Sequence, residues 1–200
     1  MFNDKIDSLL ERICEKMPQN NIIALVIALN LLFYGAYLSW PKYQIHSYLN
    51  SFTFSLYGFN QGYFYNLLTC HFSHQSFLNM IISSIIMGLL SQSTLMQLGP
   101  IFLARQVLLS IAIGSFFLFV YHNAMRGMAA PYQGNDAIFR GLIFSIIFRN
   151  PQTSFMLFPL PISIPAWGIG LVLMGLDFLS MNVAGFGGIA SGYMMVHYFL

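Results

Sequence analysis

Long apolar stretches, separated by short polar, glycine-bearing or proline-bearing runs, recur along this chain. Six of them approach the roughly 20 apolar residues that a helix needs to cross a bilayer core. They are 22–40, 65–92, 98–122, 134–148, 164–180 and 183–200. Each is expected to be helical, because an isolated strand in lipid leaves its backbone N–H and C=O groups unpaired. The stretch before them is patterned differently. Phe2, Ile6, Leu9, Leu10, Ile13 and Met17 recur at three- and four-residue steps, which gives one apolar stripe on a helix that Pro18 closes. The chain thus divides into an amphipathic N-terminal segment, 1–21, and a membrane domain, 22–200. Asp4, Asp7, Glu11 and Glu15 argue against an acid-poor targeting peptide. Such a helix lies on the membrane surface, on a partner or on the bundle itself.

Two connections stand out. Residues 41–62 hold Tyr43, Tyr48, Phe52, Phe54, Tyr57 and Phe59 with Lys42 as the only charge, an aromatic loop at headgroup level. Pro159, Pro161 and Pro165, just before Trp167, forbid helix and set an extended entry into the fifth span.

Composition removes the soluble alternatives. The chain of 200 residues is 57% hydrophobic and 7% charged, whereas soluble domains carry about 25% charged residues. A domain this small keeps much of its area exposed and cannot bury so much apolar side chain in water. Its net charge of +2 is dispersed, which excludes a nucleic-acid surface. Cys14 and Cys70 have neither pairing nor metal-ligand spacing. With six spans both termini share one side. That side carries Lys5, Arg12, Lys16, Arg105 and Arg149 against Lys42 and Arg126 opposite, so the positive-inside rule puts the termini in the cytoplasm, or in the matrix of a mitochondrion.

Ionisable groups inside spans are costly and point to function or pairing. Asp136 and Arg140 are four apart, on one face of the fourth span. An intramembrane ion pair between them is expected, with a contact to another subunit as the alternative. Asp177 and Arg105 either pair across the bundle or snorkel to the interface. The spacing of His71, His74, His122 and His197 repeats no metal or haem ligand pattern. No metal and no cofactor are therefore expected. Ala184, Gly188 and Gly192 form a small-residue ridge suited to close helix packing.

The order of these features resembles the rhomboid intramembrane proteases. The resemblance rests on the aromatic loop, PheSerHisGlnSerPheLeuAsnMet at 72–80, LeuMetGlnLeuGlyPro at 95–100, a glycine entering the fourth span and a glycine-rich sixth span. It covers about residues 60–195. The segment from Arg149 to Asp177 looks most like the mitochondrial branch. The resemblance implies an all-α, six-transmembrane-helix rhomboid-like bundle. It also implies a catalytic pattern that this chain lacks. The family's serine, in a Gly-x-Ser-Gly turn, aligns with Asp136 within Gly134–Ala137, and its sixth-span histidine aligns with Gly185. Of the His, His and Asn that hold the oxyanion on the second span, His74 matches the first, while Asn79 and Ser83 stand at the others. The alternative register puts Cys70 and Gln75 at the histidines.

A serine dyad needs a hydroxyl and an imidazole that removes and returns its proton. Glycine supplies neither. An aspartate attacking an amide would form an anhydride, from which the carboxylate leaves more readily than the amine. The resemblance therefore implies a catalytically inactive pseudoprotease, a structural or accessory subunit of a larger membrane assembly such as a mitochondrial inner-membrane respiratory complex or ATP synthase. Its partners would be membrane lipids and other subunits, with both termini on the matrix side. Two other readings stand beside it: an active protease using displaced residues such as Ser191 or His74, and a pseudoprotease that binds transmembrane clients.

Overall fold

The computed structural model describes residues 21–126, 128–157 and 162–199. The expected N-terminal amphipathic helix, Cys14, Pro159 and Pro161 lie outside them. Helix α1 is Asn21–Ser39. After it the chain turns by 109° into Lys42–Phe52, which comprises a 3-10 turn and helix α2 (Ile45–Phe52). Short helices α3 (Leu56–Asn60) and α4 (Asn66–Thr69) follow. The aromatic connection is thus a folded layer. Tyr48 is buried and its hydroxyl donates to the Phe33 carbonyl at 2.8 Å, while Phe54 pairs its backbone with Tyr132.

Helix α5 runs from Phe77 to Ala124 but breaks at Gly99, where φ 81 and ψ 171 suit only a residue without a Cβ. Pro100 then opens the second arm, at a position where a missing N–H costs nothing. The break reverses the chain. His71, just ahead of the first arm, bonds Ser115 far along the second at 3.1 Å, whereas a straight helix from Phe77 to Ser115 would be roughly 57 Å long. The arms 77–98 and 100–124 are therefore a helical hairpin. The first packs antiparallel to α1, with Ser84 against Asn30 and Phe77 against Tyr34.

Helix α6 (Asp136–Arg149) is buried on nearly every side, from Ala137 to Ile147. A helix apolar all round belongs at the centre of a bundle. Strands β1 (Ser154–Leu157) and β2 (Ile162–Pro165) pair as an antiparallel hairpin with Ser154 opposite Pro165. Its second strand, ending at Pro165, is an extended entry into the helix that follows. Helices α7 (Ala166–Leu179) and α8 (Val183–Tyr198) complete the fold. Glycines make the central contacts. A Cβ on Gly188 would strike the Ala137 carbonyl oxygen, one on Gly192 would come within 2.9 Å of the Ser145 nitrogen, and one on Gly187 within 2.6 Å of the Gly114 Cα. Backbones this close leave room for no side chain, and they fix α8 parallel to α6 and antiparallel to the second arm of α5.

Among the described residues there are therefore six apolar helical segments: α1, the two arms of α5, α6, α7 and α8. Among the described residues one stretch, Phe77–Ala124, is long and apolar enough to cross a membrane, and Ala24–Ser39 with Lys42–Phe52 passes as a bent pair. Six full spans were expected. Helices α6 and α8, of 14 and 16 residues, are roughly 21 and 24 Å long, less than the about 30 Å of a hydrocarbon core. The second apolar run also starts later than expected, at Phe77 rather than 65. Ser76 caps the helix there by accepting from the Asn79 N–H. Outward faces stay apolar, with Leu32, Ile85, Leu89, Leu171, Val172 and Leu179 all exposed.

Candidate functional site

Short α6 begins at Asp136, and the space next to its first turn is a cavity of about 500 Å³. One wall comes from His74 to Ser76 and the first arm of α5 (Asn79, Ile82, Ser83, Ile86); the other is Gln133–Asp136 with Phe139. The loop carrying Gln133–Asn135 is pinned at both ends. Tyr132 pairs with Phe54, the Tyr132 hydroxyl donates to the Gly134 carbonyl at 2.8 Å, and the Gly134 N–H donates to the Cys70 carbonyl at 2.8 Å. Gly134 has φ 115, which a side chain would strain. Asp136, His74, Asn79 and Ser83 thus share one cavity.

Gly185 does not line it. This glycine backs onto Asp177, and a Cβ there would sit 2.7 Å from Asp177 Oδ2 and 3.0 Å from Oδ1. Asp177 in turn holds Arg140. The guanidinium donates from Nε to Oδ2 at 2.6 Å and from its second nitrogen to Oδ1 at 2.8 Å, a two-pronged arrangement that matches the planar fork to the carboxylate. Asn182 adds a third bond to Oδ1 at 3.1 Å and caps α8 by accepting from the Gly185 N–H. The expected Asp136–Arg140 pair is therefore corrected. Residues four apart share a face, but a bidentate contact needs a carboxylate approaching the guanidinium edge-on, and the neighbouring helix supplies it. Arg140 still acts on Asp136 through charge, Asp177 opposes it, and the Asn182 amide interacts with Asp136 as well. One arginine serves two carboxylates here. Arg105, expected to pair with Asp177 or snorkel, lies over the Phe199 ring at 5.9 Å.

Two serines bear on hydrolysis. Ser191 is fully buried in a knot with Gln106 and Ser110: the Gln106 amide donates to both hydroxyls at 3.0 and 2.9 Å, and Ser191 donates to the Gly188 carbonyl at 2.7 Å. Its bonding partners there include no imidazole. Ser115 does have one, His71, at 3.1 Å. Its hydroxyl, however, donates to the Leu67 carbonyl at 2.7 Å, an oxygen that can only accept. The proton between the pair must then sit on His71 Nε2, which makes the imidazole a donor and not a base. Burial pushes the His71 pKa down to about 4 and also lowers that of His74, disfavouring the charged form of each ring. Neither His71 nor Ser115 lines the cavity. Sequence spacing gave no sign of this contact, since 44 residues and the Gly99 reversal separate its partners. Among the described residues no three His, Cys, Asp or Glu side chains gather as a metal site.

No protein-family model matches the chain. Over 171 residues, 78% of its length, it is 26% identical to a protein described as "RHOMBOID-like protein 12, mitochondrial" from Arabidopsis thaliana. The chain spans 50% of that relative's length. The similarity supports a rhomboid-like family.

Proposed function

We propose that this chain is a rhomboid-like membrane protein that acts by binding and not by hydrolysis, as an accessory subunit of a mitochondrial inner-membrane assembly. The observation that carries the reading is the site beside α6. Where a rhomboid protease would need a serine and an imidazole in contact, this chain has Asp136 and Gly185, with the Arg140–Asp177 fork filling the space against Gly185. A carboxylate backed by an ion pair neither attacks an amide productively nor returns a proton to a leaving amine. The mitochondrial setting follows the relative's name. The apolar outer faces of α1, α5 and α7 suit lipid and neighbouring helices, which leaves room for the accessory role.

In this reading all six helical segments cross the bilayer, with both termini of the chain on the matrix side. The short central α6 then starts below the membrane surface, which explains a polar cavity at a depth where lipid would otherwise be. The protease reading has one observation in its favour, the His71–Ser115 contact.

Extraction from native membranes in mild detergent, followed by identification of the proteins that migrate with the chain, tests the role. A fixed set of subunits in constant ratio is expected. Many substoichiometric transmembrane proteins would support client handling instead, and a chain that migrates alone would remove the accessory role.

A further inference from the structure

Two carboxylates and one guanidinium meet where the start of α6, the end of α7 and the start of α8 adjoin. Arg140 divides itself unequally between them. Asp177 takes both prongs of the fork and the Asn182 amide, while Asp136 is favoured by the charge of Arg140, opposed by that of Asp177 and met by Asn182. With both acids ionised, the junction carries one negative charge more than its arginine neutralises. Such an excess is costly away from bulk water, and a proton is the smallest ligand that removes it. The two acids differ in access. Asp177 is 1% exposed behind its fork, whereas Asp136 is half-buried and lines the cavity beside α6.

The other groups around Asp136 do not supply a second cation. Tyr132, on the loop leading into α6, sets its hydroxyl against the first N–H groups of the helix, those of Asp136 and Ala137. Part of the pull that a helix start exerts on an anion is therefore directed at a neutral phenol. His74, in the cavity wall, is a ring whose charged form burial disfavours. Asn182 brings an amide dipole and no charge.

We propose that Asp136 is a proton-binding site, filled and emptied through the cavity, whose occupancy sets how Arg140 is shared and so how firmly α7 and the start of α8 are held to α6. With the proton on, Asp136 is neutral, the guanidinium belongs to Asp177 alone and the junction has no net charge. With the proton off, two acids compete for one cation and the fork is loosened. Asn182 passes the change on, because its amide bonds Asp177 while its side-chain oxygen caps α8 at the Gly185 N–H.

The test uses the purified full chain in lipid nanodiscs, titrated from about pH 5 to 8, a range above that in which an unfolded aspartate takes up its proton. Difference infrared spectra should show the C=O stretch of a protonated carboxyl growing in as the pH falls. Asp136→Asn should remove that band. Asp177→Asn should suppress it across the same range, because Arg140 is then free to neutralise Asp136. The unfolding midpoint of the unaltered chain should rise on acidification by about 2–4 °C per pH unit of the titration, since the folded state binds a proton that the unfolded chain does not. That rise should vanish in Asp136→Asn, whose neutral amide mimics the occupied site at every pH. Protonation of His71 or His74 would act in the opposite sense: burial disfavours their charged forms, so acidification through them lowers the midpoint. Absence of the carboxyl band, a band that survives Asp136→Asn, or uptake unchanged in Asp177→Asn overturns the proposal. Should the asparagine variants give no protein, Asp136→Glu in protein grown on isotope-labelled aspartate decides. The band should lose its isotope shift there, and a band that keeps the shift excludes Asp136 as the site.

Discussion

Arg140→Ala is expected to destabilise the bundle by about 3–5 kcal/mol, the range for stranding one member of a buried ion pair. Asp177 is 1% exposed and keeps only the Asn182 amide once the fork is gone. Asp136, which Arg140 also favours through charge, loses that help as well. The measurement is chemical or thermal unfolding of detergent-purified protein, with the single variants and the double variant Arg140→Ala/Asp177→Ala forming a cycle. The double should recover most of the loss, because removing both charges leaves no uncompensated one. Arg140→Lys should fall between, since a single ammonium cannot reproduce two parallel N–H bonds. A cycle in which Arg140 couples to Asp136 and not to Asp177 would contradict the corrected pairing.

Asp136→Ser with Gly185→His, which restores both residue types of a serine dyad, is expected to yield no cleavage of a model transmembrane substrate above the buffer blank. Two physical obstacles remain after the chemistry is replaced. A Cβ at 185 lands 2.7 Å from Asp177 Oδ2, on a carboxylate fixed by Arg140 and Asn182, so the imidazole is forced away from the α6 terminus and the overpacking costs about 1–3 kcal/mol. Asn79 and Ser83 also stand where the resemblance calls for a histidine and an asparagine. The Ser83 hydroxyl is turned into its own helix, donating to the Asn79 carbonyl at 2.7 Å. Losing one oxyanion donor alone removes about 10²–10³ in rate. Measurable cleavage by the double variant would mean that the α5 wall supplies donors this account does not recognise.

The helices were legible because bilayer-length apolar runs and their breakers are local properties. The run 22–40 became Asn21–Ser39, 98–122 became the second arm of α5, and 183–200 became Val183–Tyr198. The second run misled at its start. Residues 65–76 are apolar enough to extend a span, but the Ser76 cap and the bonds of Cys70, His71 and Ser73 turn them into the packed loop that carries His74. The partner of Arg140 was not legible. Position on one helix puts Asp136 nearby, while the choice of Asp177 depends on how α7 packs against α6, which no spacing encodes. The Ser115–Leu67 bond that fixes the His71 proton is hidden for the same reason: it forms only once the chain has doubled back at Gly99.

The claim beneath these arguments is that no serine among the described residues is activated by a base. The purified chain in proteoliposomes, exposed to a serine-reactive fluorophosphonate and analysed by peptide mass spectrometry, tests it directly. The account predicts no covalent adduct on Ser83, Ser110, Ser115 or Ser191 beyond that on heat-unfolded protein. An adduct on Ser115 that disappears in His71→Ala, accompanied by cleavage of a transmembrane substrate, would contradict it.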